Sequence, residues 1–133
     1  MSKIYFNSRD ELIAVDFNRV AVIQADGNYT RIIYMNRHEL TLSMGITKVG
    51  ATLQRHQPWA KQFLRIGRSC IINHAFMERI DVLKQLIVLA DDAGHEIRVK
   101  ASKQVLKSYK NALLNGVHEE SSGKQASIDA TDN

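Results

Sequence analysis

The sequence predicts a mostly β fold of small antiparallel sheets with short helices. Two observations carry this. Apolar and polar residues alternate in short runs, the period of a strand with one covered face. Asp, Asn and Gly punctuate those runs at close intervals and supply tight turns. A helical period emerges in only two stretches, around residues 46–53 and from Ser102 onward.

Taken in order, Lys3 to Asn7 alternates weakly and predicts a first strand. Glu11–Val15 and Arg19–Asp26 read as two more, separated by the turn chemistry of Asp16, Phe17 and Asn18. Asp26-Gly27-Asn28 is the next turn, with residues that tolerate positive φ. Tyr29 to Met35 runs on as a strand, Asn36-Arg37-His38 reverses it, and Glu39 to Ser43 returns, giving a meander. Ile46, Val49, Gly50 and Leu53 then fall on one face of a short helix, with Thr47 or Ser43 as its expected cap. Pro58 and Trp59 close that segment, and Trp59 and Phe63 are expected to pack it onto the sheet.

The stretch Phe63 to Asn73, FLRIGRSCIIN, places Leu64, Ile66, Cys70 and Ile72 as on one face of a strand. Gly67 breaks the alternation and predicts a bulge or tight bend, with Arg65 and Arg68 flanking it. An arginine fork at such a kink suits a phosphate or a guanine edge, although a surface strand with solvated arginines reads equally well. His74 to Met77 reads as a turn or short helical piece. Glu78–Leu83 and Gln85–Ala90 follow as strands, and Asp91-Asp92-Ala93-Gly94 is a hairpin turn into Glu96–Val99. Ser102 opens a C-terminal helix with Val105, Leu106, Tyr109, Ala112 and Leu113 on one face, and Gly116 is expected to end it.

Length and composition bound the function. The chain has 133 residues, 44% hydrophobic and 24% charged, enough for one domain with a real core. No apolar run is long enough to span a membrane, and MSKIYFNSRDEL carries no apolar signal segment. The single cysteine, Cys70, excludes an internal disulfide and fits a reducing cytoplasm. From His118 onward one lysine stands against Glu119, Glu120, Asp129 and Asp132, a net of −3; the whole chain is +4, so the rest carries +7. Such a surface attracts polyanions. The expected organisation is an N-terminal arm and first strand over 1–16, a binding domain over 17–116 and a disordered acidic tail over 117–133.

Catalytic patterns are missing. His38, His56, His74, His95 and His118 have no metal-ligand spacing. Asp91 and Asp92 fit a solvated hairpin tip, and Cys70 sits in a strand as a buried, inert thiol. No phosphate-binding glycine motif or nucleophile elbow is present. The expectation is no enzyme, no metal and no cofactor. What remains is three polar patches at element ends: Asn28, Tyr29, Thr30 and Arg31 after one turn; Gly67, Arg68 and Ser69 at the bend; and Ser102, Lys103 and Gln104 at the last helix start. Asn and Gln pair with adenine, Arg and Lys with guanine, and helix-start N–H groups with phosphate.

These patches lie within VIQADGNYTRIIY (22–34), FLRIGRSCIINHAFMERID (63–81) and IRVKASKQVLKSY (97–109), and the three together resemble the LytTR-type DNA-binding domain over roughly Phe17 to Leu114. The resemblance implies an elongated fold and the output half of a bacterial response regulator, binding promoter repeats through loops in successive major grooves. It implies base-reaching roles for Asn28 to Thr30, Arg68, Lys103 and Gln104. Lys107, one turn further along the last helix, is the expected phosphate contact. The third patch reads Ser102-Lys103 where the family usually has Ser-Arg, and Gly67 stands where it commonly has histidine. The N-terminal arm leaves no room for a receiver domain, so the likeness is to a stand-alone regulator. The expected partner is double-stranded DNA, with a homodimer on the DNA as an option. The rival readings are a basic protein-interaction module and a nonspecific nucleic-acid binder.

Overall fold

A strand with covered faces on both sides reads as a continuous apolar run rather than an alternating one. Val20-Ala21-Val22-Ile23 is such a run, and each of these residues is buried. In the computed structural model, which describes residues 3–121, this run lies in β3 (Val20–Asp26) at the middle of a five-stranded antiparallel sheet. The other strands are β4 (Tyr29–Tyr34), β5 (Glu39–Leu42), β6 (Phe63–Arg65) and β7 (Cys70–Asn73), in the order β5-β4-β3-β7-β6.

Successive side chains of a strand face opposite ways, so each face of this sheet needs its own core. Ile23, Ile32 and Ile71 enter the first, with Ile46, Val49 and Leu53 of helix α1 (Ile46–Gln54) and Trp59 of α2 (Trp59–Gln62). A separate hairpin, β1 (Lys3–Asn7) with β2 (Leu12–Asp16), adds Ile4, Phe6 and Val15. Phe17 packs edge-on against Phe63 at 5.6 Å and lies 5.8 Å from Trp59 between ring centroids, and the Trp59 indole N–H donates to Asn18 Oδ1 at 3.0 Å. Val22 and Ile72 enter the second core. A three-stranded sheet of β8 (Met77–Asp81), β9 (Leu86–Ala90) and β10 (Glu96–Lys100) supplies Ile87, Leu89 and Ile97 there, and helix α3 (Lys103–Ser121) supplies Leu106 and Tyr109. The mostly β prediction of small antiparallel sheets with short helices holds.

Three local expectations change. FLRIGRSCIIN is not one bent strand but a hairpin: β6 and β7 pair antiparallel with Phe63 opposite Asn73 and Leu64 opposite Ile72. Gly67 makes the tight bend at its tip, with φ +145. Helix α1 begins after Gly45 without a side-chain cap, so neither Thr47 nor Ser43 plays that role. Gly116 does not end α3, which continues to Ser121. An interior glycine costs only about 1 kcal/mol relative to alanine, and no proline follows to enforce a stop. The first residues of the expected tail over 117–133 fall within α3 as far as Ser121, and its remainder lies outside the described residues.

Candidate nucleic-acid interface

The five-stranded sheet ends on one side in two neighbouring hairpin tips. Gln24 of β3 lies opposite Cys70 of β7, and the Ala25 N–H donates to Ser69 O at 2.8 Å. The Gly27–Asn28 turn and the 66–69 loop therefore sit side by side. Gly27 has φ +64, which suits the tight turn.

Arg65 shapes the second tip. Its Nε donates to Gly67 O at 3.0 Å and its Nη2 to Arg68 O, while Nη1 reaches Thr47 Oγ1 at 3.5 Å. The Ile66 N–H closes the loop onto Cys70 O at 2.9 Å. With its backbone carbonyl tied in this way, the exposed Arg68 side chain projects from a braced support, and among the described residues it makes no hydrogen bond or ion pair. Space does not dictate Gly67, since an added Cβ would meet nothing within 4 Å; its φ does. Ser69 is exposed beside Arg68. Cys70 is largely buried, and burial pushes its thiol up to about 11, which keeps it protonated at neutral pH.

The start of α3 borders the same tip. An open groove of about 500 Å³ runs between Leu64–Gly67 and the first turns of the helix, with Gln104 and Ser108 on its far wall. Lys103, Gln104 and Lys107 are all exposed. Ser102 is occupied as the helix cap, its Oγ accepting from the Val105 N–H at 3.2 Å. The helix is anchored behind them where Tyr109 Oη meets His74 Nδ1 at 2.6 Å. Burial holds the His74 imidazole below its ordinary value and pushes the Tyr109 hydroxyl up to about 12, so neither group is charged at neutral pH.

The first patch keeps only half of its predicted residues both exposed and uncommitted to other side chains. Asn28 and Tyr29 are exposed, the latter at 53%. Thr30 is fully buried and its hydroxyl donates to Met44 O at 2.7 Å. It holds β4 to the start of α1 and presents nothing to a ligand. Arg31 makes a two-point pair with Glu39, at 3.1 and 3.0 Å, and a third bond to Gln24 Oε1 at 3.1 Å. That network raises the Arg31 guanidinium and holds the Glu39 carboxyl below its usual range. Asn28, Tyr29, Arg68, Ser69, Gln104 and Lys103 thus belong to the accessible edge, with Lys107 behind them, whereas Thr30, Arg31 and Ser102 serve the fold. The reading of the residues in isolation assigned no role to Arg65; its position two residues before the glycine was the available signal. Asn73 was the polar end of the same motif. It is buried, donates to Val20 O at 2.9 Å and accepts from the Ala75 N–H at 3.0 Å, so it locks β7 to the start of β3.

Among the described residues no cluster of three His, Cys, Asp or Glu side chains could hold a metal ion. A family model described as the LytTr DNA-binding domain matches residues 10–114. A solved LytTr DNA-binding domain from Bacillus cereus shares the fold, with a TM-score of 0.55 at 23% identity, covering 86% of this chain and 97% of that chain. No curated protein matches the chain in sequence.

Proposed function

The chain belongs to the LytTr DNA-binding domain family, and from that premise we propose that it reads promoter repeats in double-stranded DNA sequence-specifically, as a transcription regulator. The observation that carries the finer reading is the meeting of two hairpin tips and a helix start along one edge of the five-stranded sheet. The tips and the helix start enter the major groove in successive contacts. Arg68, on its braced loop, pairs with a guanine edge. Gln104 and Asn28 are the amide candidates for adenine. Tyr29 and Ser69 flank these contacts. Lys103 clamps guanine or phosphate, and Lys107 meets phosphate. The working compartment is a reducing cytoplasm; among the described residues no helix is long and apolar enough to cross a membrane.

A single-strand binder would need aromatic rings exposed on a sheet face. Tyr29 is exposed, but Tyr34 is buried, with its hydroxyl accepting from the Asp16 N–H at 3.0 Å. The duplex reading is favoured on that ground. Footprinting on the promoter of the protein's own gene, followed by titration of the protected duplex at several salt concentrations, tests it. The expected log–log slope is about −0.9 per phosphate contact. An affinity that stays flat between low and physiological salt would exclude duplex binding through the basic surface.

A further inference from the structure

The hairpin of β1 and β2 leaves one edge of β1 unpaired among the described residues, because the backbone bonds of Lys3–Asn7 go to β2. An open groove of about 490 Å³ lies between this strand and α1. All five residues of β1 line it. Side chains of a strand alternate between its two faces, so a groove touching every residue runs along the edge. Five residues span about 17 Å, the length of a short extended peptide.

The charge of the groove has one sign. Lys3, Lys48 and Arg55 line it with Thr52 and His56, and no carboxylate does. All three of these cationic side chains are exposed, and among the described residues none of them has a carboxylate partner. A lysine on an open edge ordinarily prevents strand pairing. Here the cations gather on the helix wall and at one strand end, which repels a basic strand and attracts an acidic one. The groove floor includes Ile4, Phe6 and Met44. Alternating apolar side chains of a docked strand can settle against them.

We propose that this groove docks an extended acidic segment of a partner protein as an added strand on β1, with its carboxylates against Lys48 and Arg55. Two features favour a peptide over a nucleic acid. An open strand edge presents carbonyl acceptors as well as N–H donors, and the acceptors repel phosphate while pairing with a peptide backbone. The groove also has an apolar floor, which a phosphodiester chain cannot use. The β1 half of the groove lies outside residues 10–114, the part shared with the DNA-binding family, and none of the groove's lining residues, Lys48 and Arg55 included, is among those assigned to DNA.

The test uses the full chain and a capped peptide of alternating Asp and Val or Ile, read by fluorescence anisotropy. A second peptide of the same sequence carries N-methyl groups on alternate amides. Lys48→Glu with Arg55→Glu, both on exposed helix positions, should weaken the acidic peptide by about tenfold or more and weaken duplex DNA, through the general loss of positive charge, by a clearly smaller factor. The N-methylated peptide should bind far more weakly than its parent. Equal binding of the two peptides would reduce the effect to bulk charge and overturn strand addition. No binding of the parent peptide, or a double variant that loses duplex affinity instead, would overturn the proposal and leave the groove as bare or DNA-facing surface.

Discussion

The two neighbouring hairpin tips use the same kinds of residue for opposite ends. At the first, Arg31 spends its guanidinium on Glu39 and Gln24 within the sheet. At the second, Arg65 spends its own on the loop carbonyls of Gly67 and Arg68, and Arg68 is thereby held outward with its donors unspent. An arginine near a turn is thus tied into the fold or left free according to which acceptors lie within its reach. The second tip uses one arginine to brace the loop that presents the other. The first tip ties in its polar anchors, Thr30 and Arg31, and leaves Asn28 and Tyr29 exposed.

The sharpest way to break this contrast is Arg68→Ala. A bidentate arginine–guanine pair is worth about 1–3 kcal/mol of discrimination, so the variant should lose about ten- to hundred-fold on the cognate duplex and less on random DNA. Competition against cognate, single-base-variant and random duplexes measures it. Equal losses on every duplex would reassign Arg68 to backbone positioning.

Thr30→Val keeps the shape of the buried side chain and removes its bond to Met44 O. A loss of about 1 kcal/mol in chemical denaturation is expected, with the folded protein binding DNA as before. A stable variant with impaired binding would return Thr30 to the recognition surface.

Lys107→Ala should weaken all duplexes alike and reduce the salt dependence by about one contact. Discrimination between bases should stay as it was. A selective loss on the cognate site would place a base contact one helical turn deeper than Gln104.

The smallest effect concerns the Arg31–Glu39 tie. The Arg31 hydrogen bonds hold the folded Glu39 carboxyl below its ordinary value, so the pair's contribution is present above the ordinary carboxylate range and fades as pH falls through the lower folded value. Glu39→Gln should flatten this acid limb in denaturation curves taken across that range and leave DNA affinity at neutral pH nearly unchanged. The pair is solvent-exposed, so the flattening should be slight. A large drop in affinity would show that Arg31 turns to DNA when released from Glu39.

Much of this architecture was legible in the chain. Asp26-Gly27-Asn28 and Asp91-Asp92-Ala93-Gly94 announce their turns because few other residues accept those backbone angles. Val105, Leu106, Tyr109 and Leu113 announce a helix face because only a period near 3.6 brings them together. The importance of FLRIGRSCIIN was visible too, but not its shape. Leu64 and Ile72 share a face because they are cross-strand partners in a hairpin, yet their even spacing mimics a single strand. Gly116 misled in the other direction: a permissive residue allows a helix to stop without compelling it to.

Alternation along Tyr29 to Tyr34 specifies a strand with two different faces, and local chemistry settles that much. It leaves the phase undecided, since Thr30 and Tyr29 are both plausible on a surface. The pairing of β4 between β3 and β5, with Met44 O waiting beneath, sends Thr30, Ile32 and Tyr34 inward and Tyr29 outward. The same holds for the choice between Arg65 and Arg68. Side chains a few steps apart in sequence differ little in their own free energy, and the acceptors that distinguish them are brought into range by contacts across the fold.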